Sequence, residues 1–175
     1  MMKTCVASAI FAIAGSLSAS ADTVDYDEPL SLGWLEHVRI VGADIKLDAK
    51  LDTGAKTASI DAEIISSPEQ DDFEDEDKDR TIVFKVANED GDERTIEAEI
   101  VRWVGIKTKD DDVTYRPVIE MEFCLGGRII KDEVNLSDRS HFNYPTLIGR
   151  NMLERGRIIV DAGDIYTNKP RCSDD

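Results

Sequence analysis

Histidine is scarce in this chain, whose 175 residues include only His37 and His141. A catalytic zinc site usually takes three His, Asp, Glu or Cys ligands plus a water molecule. Neither histidine belongs to an H-E-x-x-H pair, and the sequence has no G-x-x-x-x-G-K-[ST] phosphate loop. These absences argue against a metallopeptidase and a nucleotide hydrolase. We interpret both histidines as ordinary surface or loop residues, and the sequence predicts no metal and no cofactor.

Positive charge is also in short supply. The chain has 21 Lys and Arg against 37 Asp and Glu, a formal net charge of −16. Nucleic acids are bound through clustered cations, so a nucleic-acid partner is not expected. Residues 69–80 hold eight acids and two bases, too polar to bury and without the spacing or Gly of a calcium loop. We predict a solvated or disordered insertion there.

Long apolar runs are absent apart from one near the N-terminus. A cationic start ending at Lys3 precedes the apolar run 6–17, and Ala19-Ser20-Ala21 is typical of a cleavage site. A retained membrane anchor is less favoured, because the run is shorter than the roughly 20 residues that span a bilayer. The sequence predicts that residues 1–21 are a signal peptide. It predicts an exported, most simply periplasmic, protein without stable membrane insertion.

Cysteine is limited to three residues, Cys5, Cys124 and Cys172. Cys5 lies in the predicted signal peptide. In an oxidising compartment, the other two could form a disulfide. Cys124 also lies within an apolar strand pattern, which is equally typical of a buried free thiol. The sequence leaves both alternatives open.

Short alternating runs dominate the chain beyond residue 30. Such runs, bounded by turn residues, indicate β-strands, and Asp90-Gly91 and Gly126-Gly127 mark hairpins. The predicted strands are residues 31–41, 45–51, 60–65, 81–87, 94–104, 113–123, 128–136, 144–148 and 157–161, with a helical turn or two over 150–155. Many short strands and one short helix predict an all-β fold, a small closed barrel with one short C-terminal helix.

Asp52-Thr53-Gly54 follows the apolar end of the predicted strand 45–51. A carboxylate in this position suits acid/base chemistry. An aspartic peptidase needs two carboxylates that share one proton, so a chain with a single triplet must dimerise or recruit another group to supply the second. Taken alone, the triplet also fits an acidic turn that hydrogen-bonds locally.

A second motif, Leu147-Ile148-Gly149-Arg150-Asn151, begins roughly 95 residues later. Together the two motifs resemble the retropepsin-like aspartic peptidases, over roughly residues 33–167. The sequence is most similar to a bacterial branch often labelled ATP-dependent zinc proteases, through residues 51–58, 115–118, 125–127, 134–140 and 143–153. The scarcity of histidine and the missing phosphate loop do not support the zinc and ATP parts of that label.

The resemblance implies roles for individual residues. Asp52 would carry the catalytic carboxylate, Thr53 would join the two active-site loops across a homodimer, and Gly54 would leave room for substrate backbone. The active-site loop would also include Ala55. The packing wall behind this loop would consist of Leu147, Ile148 and Gly149. Residues 107–112 would take the place of the flap, although they lack its Gly-rich tip.

Lys56 is the position where this sequence departs from the viral members of the family. There, an acid two residues beyond the Gly pairs with the Arg of the later motif. This chain has Lys56 at that position, as the bacterial branch does. Arg150 is therefore expected to find another partner.

The predicted organisation is a signal peptide over residues 1–21, a linker over 22–32, a retropepsin-like domain over 33–167 that contains the insertion 69–80, and a tail over 168–175. The leading hypothesis is an exported aspartic endopeptidase that acts as a homodimer on peptide or protein substrates. The alternative is a non-catalytic peptide-binding or regulatory module on the same barrel.

Overall fold

The computed structural model describes residues 26–70, 80–107 and 112–172. The predicted signal peptide, most of the acidic insertion and the middle of the predicted flap tip lie outside the described residues. The described elements are β1 (Leu30–Ile40), β2 (Ile45–Leu51), β3 (Ala58–Asp61), β4 (Glu63–Ser66), β5 (Thr81–Ala87), β6 (Glu93–Lys107), β7 (Val113–Leu125), β8 (Arg128–Ser137), β9 (Thr146–Ile148), α1 (Arg150–Arg155) and β10 (Ile158–Ile165).

Most predicted strands are confirmed within a few residues at their ends, and the helix has the predicted bounds. The prediction of a single strand over residues 60–65 is wrong. This segment belongs to two strands, β3 and β4, that separate at Ala62. β3 pairs with β8 and β9, whereas β4 pairs with β5. Ala62 donates its N–H to Ser137 O at the point where the chain leaves one set of partners for the other.

Six of the strands follow one another around a partly closed ring. Neighbours in the sheet run β1-β2-β9-β3-β8-β7, and β7 returns to β1 through the pairs of Val38, Arg39 and Ile40 with Leu125, Cys124 and Phe123. β10 lies outside β1, and β6, β5 and β4 extend the sheet from β7. The all-β class with one short C-terminal helix is confirmed.

Alternation along β2 shows how the ring positions the residues that follow it. Ile45, Leu47, Ala49 and Leu51 are buried, whereas the three residues between them point outward. Each large aliphatic side chain buried in this way stabilises the fold by about 1.5–3 kcal/mol. The strand is therefore fixed to its end at Leu51, immediately before Asp52.

The C-terminal segment is bonded to the ring at two places. Cys124 and Cys172 form a disulfide with a Cα–Cα distance of 5.8 Å, which decides between the two alternatives that the sequence left open. Glu36 is completely buried. Its carboxylate accepts hydrogen bonds from Gly33 N, from Thr167 N and Oγ1, and from Asn168 N. These bonds hold the residues after β10 against β1.

Candidate active site

Asp52 begins the loop that follows β2, and a parallel strand pair sets its position. Leu51 pairs with Ile148 of β9, and Asp52 donates its backbone N–H to Ile148 O at 2.9 Å. Ala55 N closes the turn on Asp52 O at 3.2 Å. The two sequence motifs therefore meet directly, through backbone hydrogen bonds, although they are far apart in the chain.

The Asp52 carboxylate has a bonded partner for each oxygen. Oδ1 accepts the Gly54 N–H at 2.9 Å, and Oδ2 accepts from Lys50 Nζ at 3.0 Å. The Lys50 hydrogen bond, helped by Lys50's charge and by the N–H groups of Gly54 and Ala55, lowers the pKa of Asp52 against the opposing effect of burial. The side chain remains 26% exposed. Asp52 is thus an ionised carboxylate that solvent can reach.

Arg150 finds its partners in the loop itself. Its guanidinium donates from Nη1 to the carbonyl oxygens of Thr53 (3.1 Å) and Gly54 (3.3 Å). Its backbone N–H donates to Ala55 O at 2.9 Å. A side chain from the later motif therefore holds the exposed tip of the Asp52 loop without the acid that the viral members use.

Gly149 lies where two segments touch. A Cβ placed on it would be 2.5 Å from the carbonyl carbon of Thr57 and 2.9 Å from Ala58 N, so no larger residue fits without a backbone shift. Ile148 is completely buried, and Leu147 pairs with Ser59 of β3. The structure thus brings Leu147, Ile148 and Gly149 together behind the loop.

Asn151 has a role that the sequence motif did not reveal. Its Oδ1 accepts the Ala58 N–H at 3.0 Å, and its Nδ2 donates to Asp132 Oδ1 (3.0 Å) and Glu133 O (2.8 Å). The buried Asn135 donates from Nδ2 to Ala58 O at 2.7 Å. These two amides fasten the start of β3 to the helix and to β8. The only signal in the sequence was the position of Asn151 two residues after Gly149.

Arg139 places a third cation near the site, after Lys50 and Arg150. It is only 7% exposed, and its guanidinium stacks on Phe142 at 4.6 Å from the ring centroid. Burial lowers the pKa of Arg139, the negative charges of Asp61 and Asp52 oppose that change, and the positive charge of Arg116 reinforces it. Arg139 therefore lies within electrostatic range of Asp52. Sequence reasoning gave Arg139 no role.

The histidines lie apart from these contacts. His37 Nδ1 is 2.7 Å from Asp48 Oδ1, and its ring stacks on Tyr166 with centroids 4.4 Å apart. His141 is exposed in the turn that precedes β9. Among residues 26–70, 80–107 and 112–172, no group of three or more His, Cys, Asp or Glu side chains is arranged to hold a metal ion. None of the helices in that part of the chain is long and apolar enough to cross a membrane.

Comparison with known proteins links this geometry to a family. A family model described as RimB-like, retropepsin-like aspartic endopeptidase RimB, matches residues 31–171. The crystal structure of a protein of unknown function (DUF785) from Legionella pneumophila is 30% identical to this sequence, with a TM-score of 0.66. That similarity covers 81% of this chain and 100% of the Legionella chain. A search of curated proteins found no match.

Proposed function

Because the chain belongs to the RimB-like family of retropepsin-like aspartic endopeptidases, we propose that it is an exported endopeptidase whose active site combines Asp52 from two protomers. The observation that carries the proposal is the Asp52 loop itself. The loop is fixed by Ile148 and Arg150, and it presents an accessible, ionised carboxylate. Rigid placement matters because the rate depends on how closely the reacting groups approach their productive geometry.

The chemistry follows from bringing two such carboxylates together. Like charges in close contact cannot both ionise easily, so the pair shares one proton. The ionised Asp52 takes a proton from water as the water oxygen bonds to the scissile carbonyl carbon, and the protonated Asp52 donates to the carbonyl oxygen. Collapse of the tetrahedral intermediate then breaks the C–N bond: the leaving amine receives the proton that the first Asp52 took from water, and the other Asp52 regains its proton from a hydroxyl of the intermediate. No metal or other cofactor is required by this sequence of steps.

The surface beside the loop supports a second copy as the partner. A recess of about 660 Å³ includes Thr53 and Arg150 in its lining, together with the charged Glu154 and Arg157 and the apolar Pro29, Leu153, Ile158 and Ile159. Ile159 is 57% exposed in the single chain. Exposed apolar patches of this kind are typical of protein contacts. A homodimer that covers the recess would bring Thr53 and Arg150 of each protomer to the interface.

Two observations support export, most simply to the periplasm. Residues 1–21 have the pattern of a signal peptide. The Cys124–Cys172 disulfide is of the kind that persists in oxidising compartments. Mass spectrometry of the protein from a periplasmic extract tests this directly. We expect an N-terminus at Asp22, and a chain confined to the cytoplasm with residues 1–21 intact would contradict export.

Replacement of the candidate nucleophile-activating group is the central test of function. Asp52→Asn keeps the size of the side chain but removes the charge, so peptide cleavage should fall to background while the thermal unfolding transition remains. Asp44→Asn is a matched control, because Asp44 is exposed in the turn before β2 and forms only a 3.5 Å ion pair with Arg39. Cleavage that persists in Asp52→Asn would sink the proposal.

The shape of the pH profile is a second test. A dyad that shares a proton predicts a bell-shaped dependence of kcat/KM on the acidic side of neutrality. If a single carboxylate carried out the chemistry, the pH profile of kcat/KM would instead show only one ionisation.

The alternative function is a non-catalytic peptide-binding module. It is favoured by the Lys50 ion pair, which balances the negative charge of Asp52 within a single chain. This alternative predicts a monomer in sedimentation experiments, with measurable peptide affinity and no turnover. A dimer that cleaves peptides and loses both dimerisation and cleavage on substitution of Ile159→Asp would instead favour the peptidase.

A further inference from the structure

A cleft opens where β6 and β7 separate. From Ile100 onward β6 pairs with β7, but its first half, residues 93–99, pairs with β5. Beyond Ile119, β7 continues along β8 and then reaches β1. The gap between the diverging strands has a volume of about 640 Å³, within the range of ligand-binding pockets. Its walls are residues 95–99 of β6, 119–122 of β7 and the turn after β1, all of them described residues.

The lining indicates that backbone edges face the cleft. Alternate side chains of a strand point to opposite faces, so a wall made of five consecutive β6 residues follows the edge of that strand. Within the described part of the chain, β5 is the only strand paired with residues 93–99. The opposite edge of this segment therefore offers the N–H and C=O groups that an added strand would bind.

The side chains around the cleft carry strong negative charge over an apolar floor. Four carboxylates line it, from Glu97, Glu99, Glu120 and Glu122. Lys131 is the one cation in the lining, and its Nζ is 3.1 Å from Glu120 Oε2. Its charge is thereby balanced within the protein. The floor comprises the buried apolar side chains of Ile40, Ile119 and Met121. An occupant that matches this lining alternates cationic and apolar side chains.

The cleft is separate from the candidate active site. Gly42 and Ala43 of the cleft precede β2, whereas Asp52 follows it. Seven residues of extended strand span about 23 Å, so the cleft and the carboxylate lie toward opposite ends of β2. Arg94 Nε donates to Ala43 O at 3.1 Å across one end of the gap, which ties the β1–β2 turn to β6.

We propose that this cleft is a docking site for an extended basic segment of a partner protein, which adds as a strand to the free edge of β6. Backbone hydrogen bonds supply affinity, and the carboxylates of Glu97, Glu99 and Glu122 select cationic side chains. The proposal does not depend on peptidase activity, since no residue of the Asp52 loop lines the cleft.

Calorimetric titration of the full chain tests the proposal. The probe is a capped hexapeptide of alternating lysine and valine, and the protein carries Asp52→Asn so that the probe stays intact. We expect saturable one-to-one binding that weakens with salt. The double substitution Glu97→Gln/Glu99→Gln should weaken binding about tenfold. The matched control is Glu89→Gln/Asp90→Asn, which changes two exposed acids at the tip of the β5–β6 hairpin. This control should leave the binding affinity unchanged.

Two further probes separate strand addition from simple charge attraction. A hexapeptide with methyl groups on alternate backbone nitrogens keeps its charge but loses hydrogen-bond donors, so it should bind at least several-fold more weakly. Ala43→Trp should block the cleft without changing charge.

Equal binding of the methylated and unmethylated probes would overturn the proposal. An equal loss of affinity in the Glu89→Gln/Asp90→Asn control and in Glu97→Gln/Glu99→Gln would also overturn it, and so would the absence of any binding. Concentration-dependent self-association that Ala43→Trp abolishes would assign the cleft to a second copy of this chain and also overturn it.

Discussion

Lys50 Nζ lies 3.0 Å from Asp52 Oδ2. Side chains two residues apart along an extended segment share a face, so the alternation that buries Leu51 also places the ammonium beside the carboxylate. The Lys50 hydrogen bond is the largest cause of the lowered pKa of Asp52. The charge state of the candidate catalytic group is therefore set by its own strand.

Lys50→Met should raise the pKa of Asp52 toward the ordinary 3.8. A depressed folded-state pKa stabilises the protein above the unfolded pKa, and that contribution is lost as the pH falls through the folded pKa. The variant should therefore lose less stability on acidification than the parent. In activity assays, the acidic limb of the pH dependence of kcat/KM should move to higher pH. Carboxyl-detected NMR titration of Asp52 measures the pKa, with Lys46→Met, an exposed lysine of β2, as control. An unchanged titration would refute the assigned role.

Gly149→Ala should destabilise the fold through contact alone. Gly149 has φ −88° and ψ 176°, a conformation open to any residue, but the added Cβ would be 2.5 Å from the Thr57 carbonyl carbon. Overpacking of this kind costs about 1–3 kcal/mol. Urea unfolding measures the loss, and Gly163→Ala is the control because its Cβ would meet only the Asp161 side chain, at 3.3 Å. Equal stability of the two variants would contradict the close approach.

Arg150→Met should loosen the loop more than it destabilises the protein. The guanidinium is exposed and makes two hydrogen bonds to loop carbonyls, each with a net contribution of about 0.5–1.5 kcal/mol. We expect faster amide exchange at Gly54 and Ala55, and a lower kcat with little change in KM. Arg155→Met is the control, since Arg155 bonds to Asp132 instead. Slow exchange at the loop amides in Arg150→Met would show that the guanidinium does not hold them.

Reduction of the Cys124–Cys172 disulfide should lower the unfolding free energy. The bond closes a loop with a sequence separation of 48 residues, for which chain entropy gives a stabilisation of roughly 4 kcal/mol. Guanidinium unfolding with and without a reductant measures the difference. The double variant Cys124→Ala/Cys172→Ala should no longer respond to reductant. A parent protein equally stable in both conditions would argue against the bond.

The sequence predicted the fold best where one face of a strand is buried. β2 and β5 have the predicted bounds, and in both strands buried residues alternate strictly with less buried ones. β10 extends to Ile165, beyond the predicted end at Asp161, because its second half is exposed on both faces and leaves no alternation to detect.

The candidate site was predictable in its outline but not in its contacts. Asp52 and the segment 147–149 carried signals in the sequence, and the parallel pairing of β2 with β9 brings them together. The bonds of Arg150 to loop carbonyls and of Asn151 to β3 depend on side-chain directions that residue spacing does not encode. Lys50 could have been noticed, since spacing of two places it on the Asp52 side of the strand.

The hydrogen bond from Asp52 N to Ile148 O has a consequence for biosynthesis. Ile148 is translated 96 residues after Asp52, and β9 is the strand between β2 and β3. Long-range pairings of this kind form late in folding. A growing chain on the ribosome therefore carries Asp52 long before it can carry an ordered loop around it.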